Sequence, residues 1–250
     1  MNIYKCIEYI KKYRGNTKDA SLLLAQEGDL SVYYSPFDYI NKEARIVIVG
    51  ITPGEQQSKN AFEAAQAALQ AGKNDSEILK TAKETGSFSG PMRKNLVDML
   101  NYFQLNKVLH IENCESLFGV NKNLVHYTSC LRYPVFFRGK NYNGTPKAIR
   151  NKLLQEQLKN YFAEELALLS GAIIIPLGSK VAENILYLVN QGLVKEDNIL
   201  IGFQHPSGAN NERISYLIGK KAKKDCSIKT NTDMIDQDRV KLQSKIHKLI

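Results

Sequence analysis

The chain has 250 residues, 43% of them apolar and 24% charged, with a mean hydropathy of −0.32. That length and balance can bury a substantial core without help, which excludes a disordered chain, a collagen-like repeat and a small disulfide scaffold. The formal charge of +9 comes from 34 basic and 25 acidic residues, and the excess is uneven, with nine Lys/Arg against four Asp between Gly219 and Ile250.

Such a distribution favours a polyanionic partner, DNA or RNA first, although a merely lysine-rich soluble protein would show the same total. No apolar run reaches the length of a membrane span, and the opening segment is charged and amphipathic, without the apolar core of a signal peptide. A cytoplasmic monomer with no membrane partner is the expectation. The cysteines at 6, 114, 130 and 226 form no C-x-x-C pair, so they read as reduced core thiols and no metal site is expected.

Residues 3–13 place Ile3, Cys6, Ile7, Ile10 and Tyr13 at helical spacing. Ala44–Gly50 is a β-branched run that reads as a buried strand, closed by Gly50, Pro53 and Gly54. The stretch from Ser58 to Gly86, rich in Ala, Gln and Lys, predicts one or two polar surface helices. Residues 91–103 open on a proline and carry Leu96, Met99, Leu100 and Phe103 on one face. Further strands are predicted at Leu124–Leu131, Ala172–Leu177 and Asn198–Phe203, with helices over 147–169 and 179–191 between them.

This alternation predicts an α/β chain, a three-layer α/β/α sandwich around a short, mostly parallel four-stranded sheet. Residues 1–218 are expected to form the domain. Residues 219–250 are expected to form a basic tail, with the lysine run 220–224 ahead of a final helix striped by Ile235, Leu242, Ile246 and Leu249. Ligands bind beyond the carboxyl ends of strands in such sheets, which singles out the loops at 51–57, 132–145 and 204–213.

Those loops together resemble the uracil-DNA glycosylase superfamily. G-I-T-P-G at 50–54 is similar to the G-I-N-P-G motif of its mismatch-specific branch, and H-P-S-G at 205–208 to its H-P-S motif. G-S-F-S-G-P-M-R-K-N-L at 86–96 resembles the segment whose aromatic residue stacks on the extruded base. Y-T-S-C-L-R-Y-P at 127–134 stands where many members end a strand in a base-reading asparagine, and I-P-L-G-S at 175–179 looks like the strand-to-helix turn. Five fragments in the right order, each at an element boundary, cover about residues 44–215.

The resemblance implies a cofactor-free DNA glycosylase that extrudes a nucleotide into a pocket and hydrolyses its N-glycosidic bond. It gives Phe88 the stacking face, with Ile51 and Ser129 also on the base. His205 becomes the N–H that stabilises charge on the departing base. Pro53, Gly54, Ser89, Ser207, Gly208, Asn210 and Arg213 fall to the DNA. Phe88 reads equally as an ordinary core residue, His205 without the Pro-Ser-Gly that follows it would read as a strand-end cap, and Arg213 could pair with Glu212 instead of a phosphate.

Two departures stand out. Thr52 replaces the Asn or Asp that positions water, leaving Glu55 as the nearest carboxylate to activate it, unless Glu55 is only a helix-start charge. Ser129 replaces the base-reading asparagine, which weakens discrimination of plain uracil and leaves room for a modified pyrimidine. The polar, aromatic stretch 133–144 would suit a bulky substituent, such as a sugar on a phage-type cytosine, and so a role in defence against foreign DNA as well as in repair. Some members carry an iron-sulfur cluster on four cysteines, and none is expected here. The rival reading is a catalytically silent nucleic-acid-binding protein on the same scaffold. A phosphate-binding hydrolase would need a Walker lysine or G-x-G-x-x-G that the first loop lacks.

Overall fold

The computed structural model of the chain describes residues 3–87 and 91–250. The opening elements are α1 (Ile3–Lys12), the strands β1 (Leu23–Glu27), β2 (Leu30–Tyr33) and β3 (Ile46–Gly50), and the helices α2 (Glu55–Gln70) and α3 (Asp75–Gly86). Then come α4 (Pro91–Tyr102), α5 (Leu105–Leu109), β4 (Val125–Ser129), β5 (Val135–Phe137) and β6 (Lys140–Asn141). A helical span follows as α6 (Lys152–Gln157), a π-helical stretch Leu158–Ala163 and α7 (Glu164–Ala167). The chain finishes with β7 (Ile173–Pro176), α8 (Ser179–Asn190), α9 (Asn211–Leu217) and α10 (Thr232–His247).

The central sheet is parallel, in the order β4-β3-β7. Because successive side chains of a strand point to opposite faces, β3 divides its residues between two cores. Val47 and Val49 pack with Phe62, Ala65, Ile78 and Ile185, on the side of α2, α3 and α8. Ile46 and Ile48 pack with Leu96, Leu100, Leu217 and Leu242, on the side of α4, α9 and α10. This is the three-layer sandwich, and it explains why β3 is apolar at every position before Gly50.

The expected fourth strand at 198–203 is reduced to a single parallel bridge between Ile174 and Ile199. Its backbone pairs with Ile174 on both sides, at 2.8 Å from Asn198 O and 2.8 Å to Leu200 N. It stops because Gly202 turns to φ +130° against α10, where a Cβ would lie 3.0 Å from Asp238 Cβ.

A second, antiparallel sheet in the order β1-β2-β5-β6 stands beside the first and was not anticipated. Both of its hairpins close through two residues. Gly28 at φ +55° opens the first turn, and Arg138 and Gly139, at φ +52° and +71°, form the second. Two positive φ values give the turn twist that matches the strands. Arg138 is held in this unfavourable region by Asp29, its Nε 2.7 Å from Oδ2.

Residues 219–250 pack on the second core through Ile235, Leu242 and Ile246, and Arg239 donates to the carbonyl oxygens of Leu217 and Tyr216. Leu249, expected in the same stripe, is exposed. In the lysine run, Lys220, Lys221 and Lys223 are ion-paired with Asp98, Glu212 and Asp233. Among the described residues no helix is long and apolar enough to cross a membrane.

Candidate active site

The carboxyl ends of β3 and β4 meet in register, Gly50 opposite Ser129. A Cβ on Gly50 would sit 3.4 Å from Ser129 Oγ, so the glycine keeps this corner open. Beyond it lies a cleft of about 540 Å³, measured to its open mouth, whose lining includes Ile51, Thr52, Pro53, Ser129 and His205. Three distant parts of the sequence therefore converge on one cavity. Phe88 and Ser89 lie outside the described residues; the aromatic side chains placed in the lining are Phe37 and Tyr127.

His205 follows the short bridged segment and backs onto the turn into α8, where a Cβ on Gly178, at φ +92°, would lie 3.5 Å from the His205 Cβ. The Ser207 N–H donates to His205 Nδ1 at 3.3 Å. A nitrogen that accepts cannot carry the ring proton, so in the neutral imidazole the proton is on Nε2. Burial lowers the His205 pKa, which keeps the ring neutral and able to donate. Asn95, on α4, fixes this turn by donating from Nδ2 to Pro206 O at 2.9 Å and to Asn211 Oδ1 at 2.8 Å.

The Thr52 hydroxyl donates to Tyr133 O at 3.0 Å and accepts from Val135 N at 3.1 Å. It ties the first loop to β5 and so has its one proton committed to backbone. Glu55 is not in the cleft lining; it is the first residue of α2, half exposed and paired with Lys18 at 3.0 Å. Its position is that of a helix-start charge.

An outer groove of about 1210 Å³ adjoins the cleft, sharing Ile51, Thr52, Gln57, Met92 and His205 with it, and adds Gly54, Lys180, Asn210 and Arg213. Lys180 Nζ donates to Asn143 O at 2.8 Å, which brings the stretch after β6 to the rim. Arg213 does not pair with Glu212, whose carboxylate is held by Lys221, Ser227 and Thr230. Ser207 and Gly208 are not in either lining; Ser207 Oγ accepts from Asn210 at 3.1 Å.

Away from the groove the cleft leads to a cluster of four residues that the sequence reading passed over, two in the lining and two behind it. Lys83 and Arg132 line the cleft, and both converge on the fully buried Glu165. Lys83 Nζ lies 3.1 Å from Glu165 Oε1, and Arg132 Nε 2.7 Å from Oε2. His126 Nε2 is 2.5 Å from Oε1, while its Nδ1 accepts from Asn41 N at 3.3 Å. Burial, reinforced by Lys83, takes His126 down to about 4, so it is neutral and donates its Nε2 proton to the carboxylate. Burial opposes the charge on Glu165, but Lys83 and Arg132 hold its pKa well below the ordinary range. Next to them Thr128 Oγ1, in a residue 8% exposed, has no hydrogen-bond partner among the described residues.

The sequence model of the Uracil DNA glycosylase superfamily matches residues 37–229. The chain belongs to this superfamily. It is also 37% identical over 217 residues to the Bacillus subtilis (strain 168) protein named "Uncharacterized protein YoxB", a match covering 85% of this chain and 84% of that one. No solved structure matches it. Membership in the uracil-DNA glycosylase superfamily points to DNA as the partner and to glycosylase-like function, in agreement with the motifs at 50–54 and 205–208.

Proposed function

We propose that this superfamily member is a DNA glycosylase that extrudes a modified pyrimidine into the cleft and hydrolyses its N-glycosidic bond. The observation that carries the reading is His205, a half-buried neutral imidazole with its proton on Nε2, lining both cleft and outer groove. The bond from the sugar carbon to the base breaks with both electrons leaving on the base, and the Nε2–H stabilises that charge. A water then adds its oxygen to the sugar carbon, and its proton ends on the base. A fixed donor in a partly desolvated site is worth about 10²–10³ in rate.

The groove supplies Lys180, Asn210 and Arg213 for phosphates, with Pro53 and Gly54 close to the backbone. The test is excision from duplexes carrying uracil, mismatched thymine, 5-hydroxymethyluracil and bulky modified cytosines. Abasic product from at least one, lost in His205→Ala, is the expected outcome; a wild-type protein inert on all of them sinks the reading.

One observation favours the rival, a silent DNA-binding protein. The Thr52 hydroxyl is engaged by backbone and Glu55 is turned to Lys18, so neither is free to activate water. DNA affinity without abasic product would mark that case.

A further inference from the structure

The superfamily resemblance assigns edge reading to an asparagine where this chain has Ser129, and a serine offers one hydroxyl. The cleft has a further donor. Lys83 comes from α3, across the cleft from β4, and its ammonium carries three protons. Among the described residues the carboxylate of Glu165 accepts from it, and the neighbouring His126 Nε2, at 3.4 Å, is itself a donor to the same carboxylate. Lys83 therefore has N–H capacity left, in a residue 4% exposed that lines the cleft. Lys83 also lines a neighbouring cavity with His126, so its spare N–H stands between two openings, and a polar ligand atom in the cleft can meet it. Thr128 Oγ1, which has no partner among the described residues, is in the same lining.

The order of the cavities gives a direction to this. His205 belongs to both the outer groove and the cleft, whereas Lys83, Arg132 and Thr128 line the cleft without touching the groove. A nucleotide entering from the groove leaves its sugar and glycosidic bond on the His205 side and carries the far edge of its base inward. At that edge uracil-type bases present a 4-oxo acceptor beside an N3–H donor, and cytosine-type bases present a 4-amino donor beside an N3 acceptor.

Resting on the glycosylase reading, we propose that Lys83 is the specificity-determining residue of the cleft. Its ammonium donates to the 4-oxo group of the flipped base while Thr128 Oγ1 accepts from N3–H. Arg132 and Glu165 act as positioning residues that hold the ammonium in place. A 4-amino group would set donor against donor in a desolvated pocket, a mismatch that polar sites reject far better than they reject a change in apolar bulk. Uracil-type bases, including those modified at position 5, thus rank above cytosine-type ones.

The experiment pairs bases that differ only at position 4: uracil with cytosine, and 5-hydroxymethyluracil with 5-hydroxymethylcytosine, each opposite an abasic spacer so that base pairing does not bias extrusion. Excision rates are measured on these duplexes, and binding on their 2′-fluoroarabino counterparts, whose glycosidic bond resists hydrolysis. Wild type should favour the oxo member of each pair at least tenfold. Lys83→Met, which leaves Glu165 held by Arg132 and His126, should bring each pair within threefold, and Lys83→Arg should retain the preference.

Thr128→Val should lower the uracil preference without lowering cytosine binding. If Lys83→Met does not fold, Lys83→Gln, whose amide offers both a donor and an acceptor, should narrow the same ratio. Equal or better binding of the cytosine members by wild type, or an unchanged ratio in folded Lys83→Met or Lys83→Gln, overturns the proposal. Absence of excision overturns the glycosylase reading alone, because the binding ratio still decides the role of Lys83.

Discussion

The two walls of the cleft are built on opposite principles. The wall at the mouth is a turn: His205 receives one backbone hydrogen bond at 3.3 Å and is otherwise shaped by burial and by the Asn95 clamp. The inner wall is a buried charge network in which both oxygens of Glu165 are occupied by three partners, Lys83 from α3, His126 from β4 and Arg132 from the loop after β4. A neutral donor held in place at the mouth can meet charge that appears only as the bond breaks, whereas a charge network closed on its own carboxylate presents a pattern to the base. Damage to the first should therefore be felt in rate, and damage to the second in stability and selectivity.

The largest expected effect is on the inner wall. Glu165→Leu would leave Lys83 and Arg132 buried without their carboxylate, and losing one partner of a buried pair costs about 3–5 kcal/mol. In a chain of this size that lowers the melting temperature by about 10 °C, measured by calorimetry. A shift of one or two degrees would show that the network is not holding the fold.

His205→Ala should do the reverse. The turnover rate on an accepted duplex should fall by about 10²–10³, with the melting temperature within two or three degrees of wild type. Equal loss of rate and stability would erase the contrast between the walls.

The same contrast predicts acid sensitivity. His126, held near 4 in the folded chain, titrates near 6.5 when unfolded. The unfolded state then binds the extra proton as the pH drops from 6.5 toward 4, so stability falls across that window, by on the order of 3 kcal/mol. The lowered pKa of Glu165 adds a further loss only below about pH 4.5, where an unfolded carboxylate begins to protonate. Denaturant titrations at pH 7, 5.5 and 4.5 should show the first loss in wild type and a much smaller one in His126→Gln, where the lowered pKa of His205 still contributes.

The walls also differed in how far the sequence disclosed them. The mouth was legible because its residues lie near strand ends: a β-branched run stops at Gly50, the strand expected at 124–131 carries Ser129 near its end, and Gly/Pro punctuation marks the turns. The antiparallel sheet escaped because its strands run from two to five residues, too short for alternation to register, although G-D at 28–29 and R-G at 138–139 are two-residue turn signals.

The inner wall escaped for another reason. Lys83 and Glu165 are 82 residues apart and each sits in a stretch that reads as surface helix. The available signal was register. Lys83 falls four residues after Leu79 on the buried face of α3, and Glu165 falls three after Phe162. A charge on an apolar stripe demands a buried partner. Nothing local shows that the partner lies on a distant element.

A smaller effect is expected between the walls, at Thr52. Thr52→Val keeps the shape of the side chain but strands Tyr133 O and Val135 N, at a cost of about 1–3 kcal/mol. If Thr52 acts as a tie and not as a water holder, the loss should appear mainly in stability, with the rate per folded molecule changed less than about tenfold. The asparagine of the related motif would not restore the tie, so Thr52→Asn should be no more active than Thr52→Val.

The smallest effect should be at Glu55. Its pairing with Lys18 is solvent-exposed, and such pairs contribute about 0–1 kcal/mol. Glu55→Gln keeps the first turn of α2 and should alter both stability and rate by no more than about threefold in the relevant equilibrium or rate constant. A general base removed from the reaction would instead cost about 10²–10⁴ in rate. A loss of that size, with the melting temperature unchanged, would mean that the first loop swings Glu55 away from Lys18 and into the cleft when DNA binds. The mouth would then be a wall assembled by its substrate, in contrast to the inner wall that is complete without one.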